Sequence, residues 1–208
     1  MEKVGFAQYV PNAVVNAAKN GDHEAFEYLY STYVNACYSL ALRISSDPKL
    51  AEDIVQNSFV KVIHKIGGLE NPTSFGSWLK RIVANETISC LRHFNLMNMT
   101  ELTEGDEQSL QMEKGSGQIA YHSDNQGETE WELEKLVKKL PVEQKAVLML
   151  HQVDGYKHQE IANMFGKSLS FSKVTLNRAF KKLREQINAE SVDSVVGQSE
   201  EIREEKKS

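Results

Sequence analysis

Asp154-Gly155-Tyr156-Lys157-His158-Gln159-Glu160-Ile161-Ala162-Asn163-Met164-Phe165-Gly166-Lys167-Ser168 is followed by a basic amphipathic stretch closing on Asn177-Arg178-Ala179-Phe180-Lys181-Lys182-Leu183. The reading of this segment decides the fold. Ala162 sits mid-way along a short helical pattern. Gly166 follows where a tight turn between two helices needs a residue without a Cβ. The second helix carries Leu176, Ala179, Phe180 and Leu183 on one side, with Lys173, Arg178, Lys181 and Lys182 elsewhere on its surface. This is a helix-turn-helix, a motif that places its second helix in a DNA groove.

The charge of the chain agrees once it is divided. The net charge over 208 residues is −5, an odd value for a polyanion-binding protein. Residues 131–189 carry eleven basic and six acidic side chains, however, whereas residues 1–93 carry nine of each. Residues 94–130 hold one basic and eight acidic groups, and residues 190–208 three and six. Positive charge is therefore concentrated where phosphate contacts are needed. The longest apolar run, Ala146 to Leu150, is far too short for a bilayer span, so membrane insertion is not expected, and the Met1 end shows no apolar stretch of signal-peptide length. These features predict a cytoplasmic protein. Cys37 and Cys90 lie in helical patterns and read as small apolar side chains rather than a redox pair. No metal-ligand spacing is present, and no metal or cofactor is expected.

Periodicity predicts an all-α protein of two small helical domains. Val14, Val15 and Ala18 mark a lead-in helix within residues 1–19. A first domain over residues 20–93 follows. Asp22 is positioned to cap a helix bearing Phe26, Leu29, Tyr30, Tyr33, Cys37, Leu40 and Ala41. Asp47-Pro48 opens another, with Ile54, Val55, Phe59, Val62 and Ile63 on its core side, ending at Gly67-Gly68. A third starts at Ser74 and carries Phe75, Trp78, Leu79, Ile82 and Ile88. Residues 94–130 lose periodicity and read as a flexible acidic linker. Residues 131–188 resume it, through Trp131, Leu133, Leu136, Val137 and Leu140 to a helix begun by Pro141 and then the helix-turn-helix. Residues 189–208 are charged and apolar-poor, and are expected to be a disordered tail.

Three words in this order carry a family resemblance. They are Ala51-Glu52-Asp53-Ile54-Val55-Gln56-Asn57-Ser58-Phe59-Val60-Lys61-Val62; Phe75-Gly76-Ser77-Trp78-Leu79-Lys80-Arg81-Ile82-Val83-Ala84-Asn85 with Leu91-Arg92; and Leu140-Pro141-Val142-Glu143-Gln144-Lys145-Ala146-Val147-Leu148, leading into Gly155-Tyr156 and Glu160-Ile161-Ala162. The chain resembles the extracytoplasmic-function group of bacterial sigma factors, RNA polymerase initiation subunits that keep only regions two and four of the sigma-70 family. The likeness covers roughly residues 20–93 and 131–187.

The resemblance implies site residues. The first domain would be region two, in which Asp53, Gln56, Asn57 and Lys61 form a polar stripe that grips the clamp of the polymerase largest subunit. That stripe lies off the apolar face set by Ile54, Val55, Phe59 and Val62. The loop from Gly67 to Ser74 and Asn85 would hold a base extruded from the melted −10 element, a task needing donors, acceptors and a stacking surface. Ser74 and Phe75 belong to that group, and Lys80, Arg81 and Arg92 would meet phosphates. Trp78 reads mainly as packing. The second domain would be region four, which reads the −35 element and works beside the polymerase flap region. Its contacts would be Ser168, Ser170, Lys173, Thr175, Asn177 and Arg178, with Lys157, His158, Lys181 and Lys182 as phosphate candidates. An anti-sigma protein is a further partner implied by the resemblance.

The chain departs from the pattern in three places. The family's turn reads like Gly-Ile-Ser-x-Gly-Thr-Val-Lys-Ser-Arg-Leu, where this chain has Gly166 through Leu176 as Gly-Lys-Ser-Leu-Ser-Phe-Ser-Lys-Val-Thr-Leu. Ser172 thus falls where an apolar residue packs, and Thr175 where a basic one meets phosphate. Either Phe171 or Val174 would supply the missing contact through a shifted turn, which leaves the base-reading register open by a residue or two. The basic run after Leu91-Arg92 is replaced by His93-Phe94-Asn95-Leu96, and Ser89 stands where Asp is common. No nucleophile elbow or phosphate-cradling loop is present, and His23, His64 and His122 lack catalytic partners, so no enzymatic activity is expected. Two other functions compete: a helix-turn-helix regulator with an N-terminal sensor or dimerisation domain, and a protein-only adaptor of an anti-sigma network. The polar stripe beside Asn85 argues against the first, and the basic C-terminal domain against the second.

Overall fold

Helix starts in the computed structural model are set by the capping side chains that the sequence supplies. The structure describes residues 5–98 and 135–205, with side chains within 5–93 and 135–188. The Asp22 carboxylate accepts the Ala25 N–H at 2.9 Å and opens His23–Ser45. Asp47 accepts from Leu50 N at 3.1 Å and opens Pro48–Lys65, with proline in the first turn where its missing N–H is harmless. Together with Asn12–Lys19 and Phe75–Asn98 these are helices α1 to α4 in chain order. Beyond them lie α5 (Val142–Leu148), α6 (His158–Phe165) and α7 (Leu169–Glu205). A helical turn spans residues 135–138, and the described residues contain no strand.

The first four helices share one core. Leu29, Tyr33, Cys37, Leu40 and Ile44 recur every three or four residues along α2 and are buried against Ile54, Val55, Phe59 and Val62 of α3 and Phe75, Leu79, Val83 and Ile88 of α4. Phe59 meets Tyr30 edge-on at 4.7 Å, and Tyr33 lies 5.5 Å from Phe75. Val15 and Ala18 of α1 join this core, so the lead-in helix is part of the domain rather than ahead of it. Cys37 is fully buried, and burial pushes its thiol up to about 12, as expected of an inert apolar side chain. Ile63, assigned to the core side of α3 by periodicity, is instead exposed.

An N-terminal segment straps this bundle. Phe6 stacks on Tyr33 at 6.4 Å, and the Tyr33 hydroxyl donates to the Gln8 carbonyl at 3.1 Å. The segment approaches α4 so closely that a Cβ at Gly76 would lie 2.1 Å from the Phe6 carbonyl oxygen. Glycine is required there by space.

The second unit packs Leu136, Val137, Leu140, Ala146, Val147, Leu150, Ile161, Phe165, Leu176, Ala179 and Leu183 together. After α5 the chain widens into a π turn, Met149–Val153, closed by Asp154 N donating to Met149 O at 3.0 Å. Gly166 then takes a left-handed φ of 64° between α6 and α7, the conformation that its position in the turn anticipates.

Two boundaries are corrected. Helix α4 runs to Asn98, past the linker start expected at 94, because Phe94 to Asn98 contains nothing that breaks a helix already propagating. The tail past Asn188, expected to be disordered, is helical to Glu205. It lacks apolar residues for a core, but it contains no proline, and extending an existing helix needs only backbone hydrogen bonds. The rest of the expected linker, and the pattern from Trp131 to Glu134, lie outside the described residues.

Candidate functional site

On α3 the residues Asp53, Gln56 and Asn57 are exposed, one helical turn apart along the face opposite Ile54, Val55 and Val62. Val60 and Ile63, both more than half exposed, continue that stripe toward the C-terminal end of the helix. Lys61 departs from it: its ammonium pairs with the Glu86 carboxylate of α4, which is largely buried. That cation serves first to neutralise a charge inside the bundle.

The start of α4 is built on a polar turn. Asn71 accepts from Thr73 N at 3.0 Å and from the Thr73 hydroxyl at 2.7 Å, while the Ser74 hydroxyl donates to the Asn71 carbonyl at 2.7 Å. A cleft of about 240 Å³ opens between this turn and the N-terminal strap, lined by Gln8, Tyr9, Asn12, Thr73 and Ser77 among others. Phe75, expected at the base-binding surface, is 1 % exposed and packs between Tyr33 and Trp78. It belongs to the core, because the first turn of α4 points it inward beside Leu79. Arg81, Asn85 and Arg92 are exposed on α4. Lys80 is not free: its ammonium lies 3.1 Å from the Asp154 carboxylate, 2.9 Å from the Asp154 carbonyl and 5.4 Å above the Tyr156 ring.

In the helix-turn-helix the structure fixes where α7 begins and which residues pack beneath it. Ser168 caps α7, its hydroxyl accepting from Phe171 N at 3.4 Å, so the helix begins at Leu169. Phe171, not a shifted backbone, supplies the apolar contact, lying 5.2 Å from Phe165. Ser172 is fully buried where an apolar side chain is usual, and its hydroxyl is satisfied by His158 Nδ1 at 3.0 Å. His158 stacks on His151 with ring centroids 4.1 Å apart, and His151 Nδ1 donates to the Tyr156 carbonyl at 2.8 Å. Burial, then the neighbouring His151 and Lys173, lowers the His158 pKa. Thr175 is 7 % exposed and faces the core, three residues after Ser172, so it is removed from the DNA-facing set. Ser170, Lys173, Asn177, Arg178 and Lys181 are exposed and, at helical spacing, share the outer side of α7. Lys157 is exposed at the start of α6, where its N–H donates to Glu160 at 2.9 Å.

Several residues here carried no signal in the sequence. Arg43, at the end of α2, lies 3.3 Å from the Asp154 carboxylate. Buried Lys145 donates to the Ser46 hydroxyl at 2.5 Å, and burial followed by Lys138 lowers its pKa. Burial, then Asp154, raises the Tyr156 phenol. Each pair joins positions far apart in sequence, beyond the reach of local pattern. Among the described residues no helix is long and apolar enough to cross a membrane.

Comparison with known proteins follows the same division. Residues 29–94 match the model of sigma-70 region 2, and residues 130–183 that of sigma-70 region 4. The ECF RNA polymerase sigma factor SigE of Mycolicibacterium smegmatis is 26 % identical over 177 residues, spanning 84 % of this chain and 67 % of that protein. RNA polymerase sigma factor CarQ of Myxococcus xanthus is 26 % identical over 167 residues, 80 % of this chain and 91 % of CarQ. The ECF sigma factor SigW of Bacillus subtilis is 25 % identical over 177 residues, 83 % and 94 % of the two chains.

Proposed function

Because this chain belongs to the extracytoplasmic-function group of the sigma-70 family, we propose that its two modules divide promoter recognition between them. As a sigma factor it binds core RNA polymerase and directs initiation at particular promoters. Asp53, Gln56 and Asn57 dock on the polymerase clamp, and the flap region receives the second unit. The turn Asn71–Ser74, with Ser74, Asn85, Arg81 and Arg92, takes the −10 strand. Ser170, Lys173, Asn177 and Arg178 read the −35 major groove, with Ser168, Lys157, His158 and Lys181 at its edges. The protein does no bond chemistry of its own; nucleotide addition belongs to the polymerase. It acts where polymerase and chromosome meet, in the cytoplasm. An anti-sigma protein would silence it by covering these surfaces.

The observation that carries the reading is the pairing, in one chain, of an exposed polar stripe on α3 with an exposed cationic stripe on α7. A sensor domain has no use for the first, and a protein-only adaptor none for the second. Run-off transcription with core enzyme on a randomised promoter pool tests it. Enrichment of a two-part sequence is expected. Asp53→Ala is expected to weaken co-elution with core while changing stability by no more than about 0.5 kcal/mol. A chain that never co-elutes with core would end the reading.

A further inference from the structure

The polar turn ahead of α4 lacks a ring of its own. Holding a base that has left the stack needs a flat face as well as hydrogen-bonding groups. Yet Phe75 and Tyr33 are each 1 % exposed, and Trp78 packs against Phe75 and the core. None of them offers a face to DNA. One aromatic beside the turn does. Tyr9 of the N-terminal strap is 81 % exposed, the most exposed of the large apolar side chains among the described residues, and it lines the cleft between the strap and the start of α4. A lone exposed tyrosine is ordinary. One at a cleft whose other rings are packed against each other is not.

The backbone that carries Tyr9 is pinned on both sides. The Gln8 carbonyl accepts from the Tyr33 hydroxyl at 3.1 Å, Phe6 stacks on Tyr33, and Val10 is buried in the core. A ring on fixed backbone loses little freedom when a ligand covers it. The cleft measures about 240 Å³, just under the roughly 300 Å³ at which pockets for drug-sized molecules begin, so it suits one flat ring system. Polar groups come from two sides: the amides of Gln8 and Asn12, and the hydroxyls of Thr73 and Ser77. Among the described residues neither amide has a hydrogen-bond partner, so each keeps donors and an acceptor for a base edge. From the cleft, Ser77, Arg81, Asn85 and Ser89 follow at single-turn spacing, all exposed on α4. That file gives a strand a course past a cation and an amide.

We propose that Tyr9 is the stacking platform for the base extruded from the −10 element, and that Gln8 and Asn12 help to choose which base enters. The inference rests on the promoter reading above. It adds to that reading a segment ahead of the residues matched to region 2, which begin at residue 29.

The test uses holoenzyme assembled from the full chain and core, with a single-stranded oligonucleotide carrying the −10 sequence enriched from the randomised pool. Tyr9→Ala should weaken its binding about 5- to 150-fold, the range for losing one base–aromatic stack. Tyr9→Phe keeps the ring and should bind like the wild type. Removing the bases of the oligonucleotide one at a time should reveal one position whose loss costs the wild type but costs Tyr9→Ala nothing further, since interacting partners are not additive. Melting temperature, core co-elution and binding of a −35 duplex should be the same for all three proteins, as an exposed side chain on the strap touches none of those surfaces. Tyr9→Ala that binds the oligonucleotide like the wild type, or whose loss adds in full at every missing base, would overturn the role of Tyr9. Failure of the wild type to take core would strike the sigma reading and this role with it; core binding alongside an indifferent Tyr9→Ala strikes Tyr9 alone.

Discussion

Gly76→Ala is a sharp probe of how the bundle is assembled. In the first turn of an isolated helix the change would be favourable by about 0.5–1 kcal/mol, since alanine surrenders less backbone entropy than glycine. Here the added methyl would stand 2.1 Å from the Phe6 carbonyl oxygen and 3.2 Å from the Tyr33 hydroxyl. Backbone cannot yield as a side-chain tip does, so either α4 shifts or the strap leaves. A shift of α4 disturbs Phe75 and Leu79, and overpacking of that kind costs about 1–3 kcal/mol. Departure of the strap loses the Tyr33–Gln8 hydrogen bond, about 1 kcal/mol, and the Phe6–Tyr33 stack, about 0.5–1.5 kcal/mol. The cheaper route sets the result, so after the helix gain a net loss of about 0.5–2 kcal/mol is expected, a Tm lower by about 2–16 °C for a domain of this size. Thermal unfolding followed by tyrosine fluorescence reads the stability, and limited proteolysis near Tyr9 reads the strap. An unchanged or higher Tm, with the N-terminal segment still protected, would refute the packing argument.

Other perturbations separate structural from interfacial charge. Lys61→Ala leaves Glu86 without its cation and should destabilise the first unit by about 1–2 kcal/mol, with Glu86→Gln in the same chain restoring most of it; a neutral Lys61→Ala in urea unfolding would return Lys61 to the polymerase stripe. His158 has a pKa lowered from its ordinary 6.5, so the unfolded chain binds the extra proton first. Stability of the second unit should therefore be full above pH 6.5 and fall as pH drops through that value, levelling below the folded pKa. His158→Gln should flatten that slope, and a slope that survives in it would point to another group. Arg178→Ala should weaken promoter binding and lower the slope of log affinity against log salt by about 0.9; an unchanged slope would mean that Arg178 meets no phosphate.

Much of this protein is legible in its residues because the controlling physics is local. Asp22, Asp47-Pro48 and Gly166 mark helix ends through hydrogen bonds and backbone freedom that act within a few positions. The three- and four-residue spacing of Leu29, Tyr33, Cys37, Leu40 and Ile44 declares a buried face without knowledge of what covers it. The segregation of basic residues into 131–189 likewise points to a polyanion before any coordinates exist. What could not be read is where spacing permits two outcomes. Phe75 and Thr175 stand at positions that family pattern gives to DNA, yet packing turns both inward. Ser172 reads as a fault in an apolar site until His158, fourteen residues earlier, is brought beneath it.

The sequence by itself determined where the packed helices start and which module carries the positive charge, though not that α4 and α7 run on past residues 94 and 188. Only the tertiary structure decided which of those charges remain available. Lys61 is held by Glu86, and Lys80 by Asp154, partners 25 and 74 residues away. A charge has no local periodicity that announces its partner; its fate is set by burial and distance, and both exist only after the helices have packed.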